Sequence, residues 1–387
     1  MPHRTLLNLS THEMKLPNVV KGDGCYVIDE DGRRYLDMES GVWCLSLGHG
    51  HPAVNEAISA QIREIMHCGF NYSTPGVNAA AQLVAEKTGI ENARALFLCS
   101  GSEAVEVGRQ LSRHLTGKSL SMTLHDSYLG SYESLKKRES GWVLFDWRDC
   151  DTCTRGESCD PACERLQRIP EEVSEFIFEP GSSSGFVRFP PESLVKNIVE
   201  TIRRRGGLIV VNDVTTGIGR TGRWFGFQHY PISPDIVAMG KGIGNGYPVS
   251  AVVISGKLAR VLETSPYIYS QSHQNDALGA RVAATVIRTI ETNRLIDNAE
   301  KMGRYLINGL EQLVNDRIIL RVRGRGLMVA MDMPDAKTTR EFHHRLLEQG
   351  IVVGNRGTSL RADPPLIVTA EMVDKFISTV SDISQSM

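Results

Sequence analysis

The sequence predicts an α/β protein: a large domain on a mostly parallel sheet covered by helices, followed by a smaller α+β domain. Three observations carry this. Short, uninterrupted apolar runs alternate with helical stretches through the middle of the chain, as strands buried on both faces require. Gly or Pro bounds several of these runs, which marks their ends. The 387 residues exceed one ordinary domain yet contain no internal repeat and no low-complexity linker.

From the N-terminus, GCYVIDEDGRRYLDM reads as a hairpin turning at Glu30-Asp31-Gly32. ARALFLCS (93–100) is a strand, and EAVEVGRQLSRHL sets Ala104, Val107, Leu111 and Leu115 at helical spacing. SLSMTLHD, WVLFDW, EFIFEP, LIVVND, DIVAMGK and SAVVIS are further β-rich runs. PESLVKNIVETIRRRGG is a helix opened by Pro191 and closed by Gly206-Gly207. Beyond Asn275, ALGARVAATVIRTIE is a long helix. It leads to LRVRGRGLMVAMDM, a helix near 337–349, and GIVVGN.

Composition narrows the function. Hydrophobic residues are 41% and charged residues 23%, ordinary values for a globular chain and not for a disordered one. A net charge of −2 argues against a nucleic-acid partner, and Arg203-Arg204-Arg205 reads as cations at a helix C-terminus. No run of 18 apolar residues occurs, so no membrane helix is expected. MPHRTLLNLSTHEMK lacks the apolar core of a signal peptide. A cytoplasmic enzyme acting on small molecules is the expectation.

Of the eight cysteines, Cys25, Cys44, Cys68 and Cys99 are scattered and read as ordinary buried or half-buried thiols. Cys150, Cys153, Cys159 and Cys163 crowd into DCDTCTRGESCDPACE as C-x2-C-x5-C-x3-C, with Asp151, Arg155 and Gly156 between them. In a reducing compartment this favours a tetrahedral zinc site over two disulfides or four free thiols. Iron–sulfur spacings differ from it. The site should lie away from the strand ends that carry chemistry.

Gly217 to Gly222 spells G-x-G-x-x-G after LIVVND, but RWFGFQHYPISP follows. Two prolines and four aromatics will not start the helix that a dinucleotide fold needs, so a nicotinamide dehydrogenase is set aside for a plain glycine turn. SGSE, Ser100 to Glu103, does stand between a strand and a helix. Gly101 permits close approach there, Ser102 can donate, and the free N–H groups of the first turn form a phosphate cradle. Lys241 ends DIVAMGK. A lysine at the end of a buried strand is costly unless it is paired or consumed in a covalent bond. Cradle, lysine and the polar strand end Asn212-Asp213 together suggest pyridoxal phosphate (PLP), held as a Schiff base.

At these residues the chain resembles the class III aminotransferases of the fold type I PLP enzymes, whose large domain has a seven-stranded-type sheet. The resemblance runs through YLDMESGVWCLSLGHGHPAV, FLCSGSEAVEVG, FEPGSSSG, NDVTTGIGRTGRWFGFQHYPISPDIVAMGKGIGNGYP and LRADPPLIV. It implies a large domain over 46–284, with the cysteine-rich insertion at 148–166, and a small domain from 1–45 with 285–387. It makes Lys241 the Schiff-base lysine and proton shuttle, and Gly101 and Ser102 the phosphate pair. Tyr128 stacks on the ring and Val214 packs under it. Ser272 reaches the phosphate across a homodimer interface. Arg361, with Trp43, grips the substrate carboxylate. His49 and His51 become turn and cap residues instead of metal ligands.

Four positions depart from the family pattern. Asn212 stands where an aspartate usually meets the ring nitrogen, and a neutral amide makes a weaker electron sink. Thr215 replaces the glutamine at the phenolic oxygen, Leu129 replaces a histidine, and Ser184 replaces a glutamate that masks the arginine. An aminotransferase moving an amino group between an amino acid and a 2-oxo acid is the expected function. A PLP racemase, epimerase or lyase is the alternative, and a non-catalytic scaffold is disfavoured by the intact Lys241.

Overall fold

Strands β1 (Val19–Asp23), β2 (Tyr26–Asp29) and β3 (Arg34–Asp37) pair antiparallel. Asp29 makes the expected hairpin turn, its Oδ1 accepting from the N–H groups of Asp31 at 3.1 Å and Arg33 at 2.9 Å. Helices α1 (Pro52–Glu64) and α2 (Pro75–Thr88) both open on proline, whose fixed φ suits a first turn. The computed structural model describes residue 9 and residues 14–150, 153, 159–315 and 317–387. Most of the N-terminal stretch read for a signal, and Asp151, Arg155 and Gly156 of the insertion, lie outside the described residues.

The central sheet begins with β4 (Arg94–Leu98), which runs into α3 (Gly101–Thr116). It continues with β5 (Leu120–Leu124), β6 (Trp142–Phe145), β7 (Val173–Phe178) and, after α4 (Glu192–Arg204), β8 (Leu208–Asn212). β9 (Ile236–Met239) and β10 (Ser250–Ile254) complete it, and α5 (Gly256–Thr264) follows. The seven strands lie in the order β4-β10-β9-β8-β7-β5-β6. Neighbours from β9 to β6 pair parallel, and β10 runs antiparallel to both β9 and β4. Every residue of β7 and β9 is buried. Covered on both faces, they show no polar alternation. The parallel strands bring their carboxyl ends to one edge, where α/β sheets place ligands.

Helices α6 (Ala277–Thr292) and α7 (Leu295–Glu311) lead to β11 (Arg321–Arg325) and β12 (Met328–Asp332). Then come α8 (Ala336–Glu348), β13 (Ile351–Val352), β14 (Gly354–Arg356), β15 (Ser359–Ala362) and α9 (Ala370–Ser386). One sheet runs β11-β12-β15-β14, while β13 joins the N-terminal ribbon beside β3. The two chain ends thus share a sheet. The expected boundary after residue 284 falls inside α6, which runs unbroken from 277 to 292 and packs on α1 and α2. Among the described residues no helix is long and apolar enough to cross a membrane.

Candidate active site

Lys241 lies two residues past β9, at the start of a short 3-10 turn, with φ of 46°. That left-handed conformation is sparsely populated for a side-chain-bearing residue and clusters at functional sites. Its Nζ donates to Thr215 Oγ1 at 2.8 Å and stands 4.9 Å from the centre of the Trp43 ring. Burial pulls the ammonium pKa below its ordinary value, with Arg361 adding to the effect and Cys44, Glu179 and Asp363 opposing it. The neutral amine so favoured is the nucleophilic form.

The cradle follows from packing. Ser100 Oγ accepts from Glu103 N–H at 3.2 Å and fixes the start of α3. A Cβ on Gly101 would lie 2.5 Å from Val214 Cγ1, so only glycine lets strand end, helix start and Val214 meet. Ser102 Oγ accepts from Ser131 N–H at 2.9 Å, tying the Tyr128 loop to the cradle. Gly101, Ser102, Tyr128, Asn212, Val214, Thr215 and Lys241 line one cleft of about 130 Å³, together with Leu129, Gly130 and Ser183. A helix N-terminus for phosphate, Tyr128 and Val214 in the lining, and a buried amine fit pyridoxal phosphate. Ser272 is not part of this cleft; it lies exposed in the turn before Asp276.

The strand end separates Asn212 from Asp213. Asn212 lines the cleft, its Nδ2 donating to the Tyr128 carbonyl at 3.0 Å. Asp213 turns away. Its carboxylate accepts from Thr216 Oγ1, from Gly226 N–H at 2.8 Å and from Phe227 N–H at 3.3 Å, and burial pushes its pKa up to about 6. The gapless alignment through the glycine loop therefore puts the amide, and not the acid, in the cleft. Glu179 is the nearby buried carboxylate that the sequence reading passed over. It accepts from Tyr128 N–H at 3.0 Å and from Ser183 Oγ, and burial pushes it up to about 7.

Arg361 sits in β15 with its guanidinium carbon 3.9 Å from the centre of the Trp43 ring. Trp43 is thus shared between Arg361 and Lys241. Arg361 Nη2 is 3.5 Å from Glu39 Oε1, and Nη1 is 3.8 Å from Asp363 Oδ2. Its buried Nε and Nη1 have no hydrogen-bond partner. Unpaired buried donors on a guanidinium suit an incoming carboxylate. Ser184 offers no charge, and the carboxylates beside the arginine come from Asp363 and from Glu39, itself held by Lys15 Nζ at 2.6 Å.

Trp43 is presented by a turn in which Ser40, Gly41, Val42 and Trp43 have φ of 47°, 57°, 60° and 66°. Such a left-handed run is costly, and two braces hold it. Asp37 Oδ1 accepts from Ser40 N–H at 2.8 Å, while its Oδ2 is 2.8 Å from His49 Nε2. Arg220, fully buried, donates to Ser40 Oγ at 3.0 Å, to the Leu327 carbonyl at 3.1 Å and to the Pro364 carbonyl. The glycine loop read as a plain turn therefore delivers an arginine that locks three segments together. Its signal was a lone charge among small residues in TGIGRTG. His49 is a turn brace and His51 the N-cap residue of α1, as expected.

All eight cysteines are free thiols. Cys150, Cys153, Cys159 and Cys163 border a second cleft, which shares no residue with the Lys241 cleft. No three of their sulfurs lie within 4.8 Å of one another. Among the described residues the group that meets that distance is His67, His273 and Asp276.

The fold and the lysine cleft define a PLP enzyme of fold type I, and comparison with known proteins gives the family. The class III aminotransferase model (Aminotransferase class-III) matches residues 9–135 and 149–383. The acetylornithine aminotransferase of Archaeoglobus fulgidus is 31% identical over 376 residues, covering 95% of this chain and 96% of its own length. That of Mycobacterium bovis is 32% identical over 373 residues, covering 94% and 91%. A solved Bacillus anthracis aminotransferase matches the fold with a TM-score of 0.89 at 24% identity, over 96% of this chain and 93% of that one. The chain belongs to the class III aminotransferase family. It is a PLP-dependent aminotransferase, moving an amino group between an amino acid and a 2-oxo acid.

Proposed function

We propose that Lys241 would hold PLP through its amine and, freed when a substrate amino group takes its place on the cofactor, would move the proton at the substrate carbon, while Arg361 holds a substrate carboxylate. The observation that carries this is Trp43, with Lys241 Nζ at 4.9 Å and the Arg361 guanidinium at 3.9 Å from its ring centre. A substrate bridging the two side chains would place its carboxylate on Arg361 and its amino group beside Lys241. When bound, PLP supplies the electron sink for carbon–hydrogen bond cleavage. Gly101 and Ser102 would hold its phosphate, Tyr128 and Val214 would flank its ring, and Thr215 and Asn212 would meet its phenolic oxygen and ring nitrogen. The curated relatives that carry the name acetylornithine aminotransferase make an ω-amino, α-carboxylate donor the first substrate to test.

We further infer a cytoplasmic homodimer in which Ser272 serves the partner's phosphate, a division near residues 46–284, and a structural zinc on the four clustered cysteines. Lys241→Ala tests the core of the reading. The variant should lose both the cofactor's visible absorbance and amino transfer, with its circular dichroism unchanged. Amino transfer near the wild-type rate would overturn the assignment.

A further inference from the structure

We propose that Cys150, Cys153, Cys159 and Cys163 bind one structural Zn²⁺ that fastens the insertion between β6 and β7 onto α4. The four residues come from three separately anchored pieces of chain and converge on one cleft of about 460 Å³, walled by Phe145, Leu166 and Leu194. Cys150 ends a 3-10 turn, and Cys153 N–H donates back to its carbonyl at 3.5 Å, which folds the first C-x2-C pair upon itself. Cys159 is tied to α4 on both sides: its N–H donates to Ser193 Oγ at 3.1 Å and its carbonyl accepts from Asn197 Nδ2 at 2.8 Å. Cys163 N–H donates to the Asp160 carbonyl at 3.0 Å, and Cys163 opens the short helical turn Glu164–Gln167. None of the four is in a disulfide.

As neutral thiols these groups gain little from one another. A divalent cation reverses that balance. Four S–H bonds break, four Zn–S bonds form and four protons pass to solvent, leaving a site of net charge −2. Arg165 also lines the cleft and would offset part of that charge. Four thiolates leave no open coordination position, so the role is structural and not catalytic. Zn–S bonds of about 2.3 Å require closer sulfurs than the present spacing, in which no three lie within 4.8 Å. Metal uptake must therefore contract the cleft.

The test uses the full-length protein, reduced and dialysed against Zn²⁺, with metal measured by mass spectrometry. About one Zn²⁺ per chain is expected, and Co²⁺ in its place should give the intense visible bands of a tetrahedral tetrathiolate. Cys153→Ser with Cys159→Ser should reduce bound metal from about one per chain to none. Its PLP content should match wild type, which separates this outcome from any failure of the amino-transfer reading. Should the double variant not fold, the Co²⁺ spectrum of the wild type decides. Metal-free protein after dialysis, a Co²⁺ spectrum without thiolate bands, or two disulfides in peptide maps of the folded chain would each overturn the proposal.

Discussion

A methyl group on Gly101 would press against both Val214 methyls, at 2.5 and 2.8 Å. Overpacking of this kind costs about 1–3 kcal/mol, so Gly101→Ala should weaken cofactor binding by about ten- to a hundredfold in a fluorescence titration. Adding Val214→Ala should recover much of that loss. Additive losses would mean that the two residues do not share the ring's site. At Asn212 the neutral amide already donates to the Tyr128 carbonyl at 3.0 Å. Asn212→Asp places a charge where a pyridinium can use it, and the rate of the first half-reaction, followed by stopped flow, should rise. No change would show that residue 212 does not meet the ring. Arg361→Lys removes the two-pronged grip, worth about 1.5–3 kcal/mol. KM for a carboxylate-bearing donor should rise about ten- to a hundredfold while PLP content stays constant. An equal effect on a donor lacking that carboxylate would contradict the role.

Strand β7 shows what a fully buried element does to a charge. Glu175 has no exposure, and burial pushes its carboxyl from an ordinary 4.5 to about 7. Because the folded state holds its proton more tightly than the unfolded chain, Glu175 costs nothing below about pH 4.5. Its penalty grows as pH rises and is complete above about 7, at about 3 kcal/mol. Glu175→Gln should leave the melting temperature unchanged near pH 4.5 and raise it at pH 8. A uniform fall across that range would mean that the ionised carboxylate is stabilising. The strands and helices were legible because apolar periodicity and caps are local signals: Val173–Phe178 reads as a strand from its own residues. The turn at Ser40–Trp43 was not. Its left-handed backbone is braced by Asp37 and by Arg220, which is 180 residues away in sequence from Ser40, and no local pattern in SGVW announces it. Glu39 beside Arg361 was missed for the same reason, since the pair is 322 residues apart.

Across the whole molecule, the cleft residues named from the sequence converge because parallel strands deliver their carboxyl ends to one edge. Of the residues read as cofactor-binding, Ser272 stays outside that cleft. The same side carries unpartnered apolar surface: Met66, Phe70 and Tyr72 are 60%, 50% and 72% exposed, and Ile268 is 85% exposed. His67 links these two stretches through Asp276 at 3.0 Å and ring contact with His273. A second copy of the chain would cover such a surface, and the proposed homodimer predicts a dimer in sedimentation. Tyr72→Asp with Ile268→Asp should give monomers that retain less PLP. A wild-type monomer with full activity would contradict this. Lys241 and Arg361 are the residues proposed to carry amino transfer, with Asn212 in place of a carboxylate at the ring nitrogen. The most direct test incubates the PLP-loaded protein with N-acetylornithine, and separately with glutamate, without any acceptor, and quantifies the released cofactor by chromatography. Stoichiometric conversion of the aldehyde to the amine form is expected with at least one donor, as is its return on adding a 2-oxo acid. Cofactor that stays wholly in the aldehyde form while the donor is racemised or loses ammonia would contradict it.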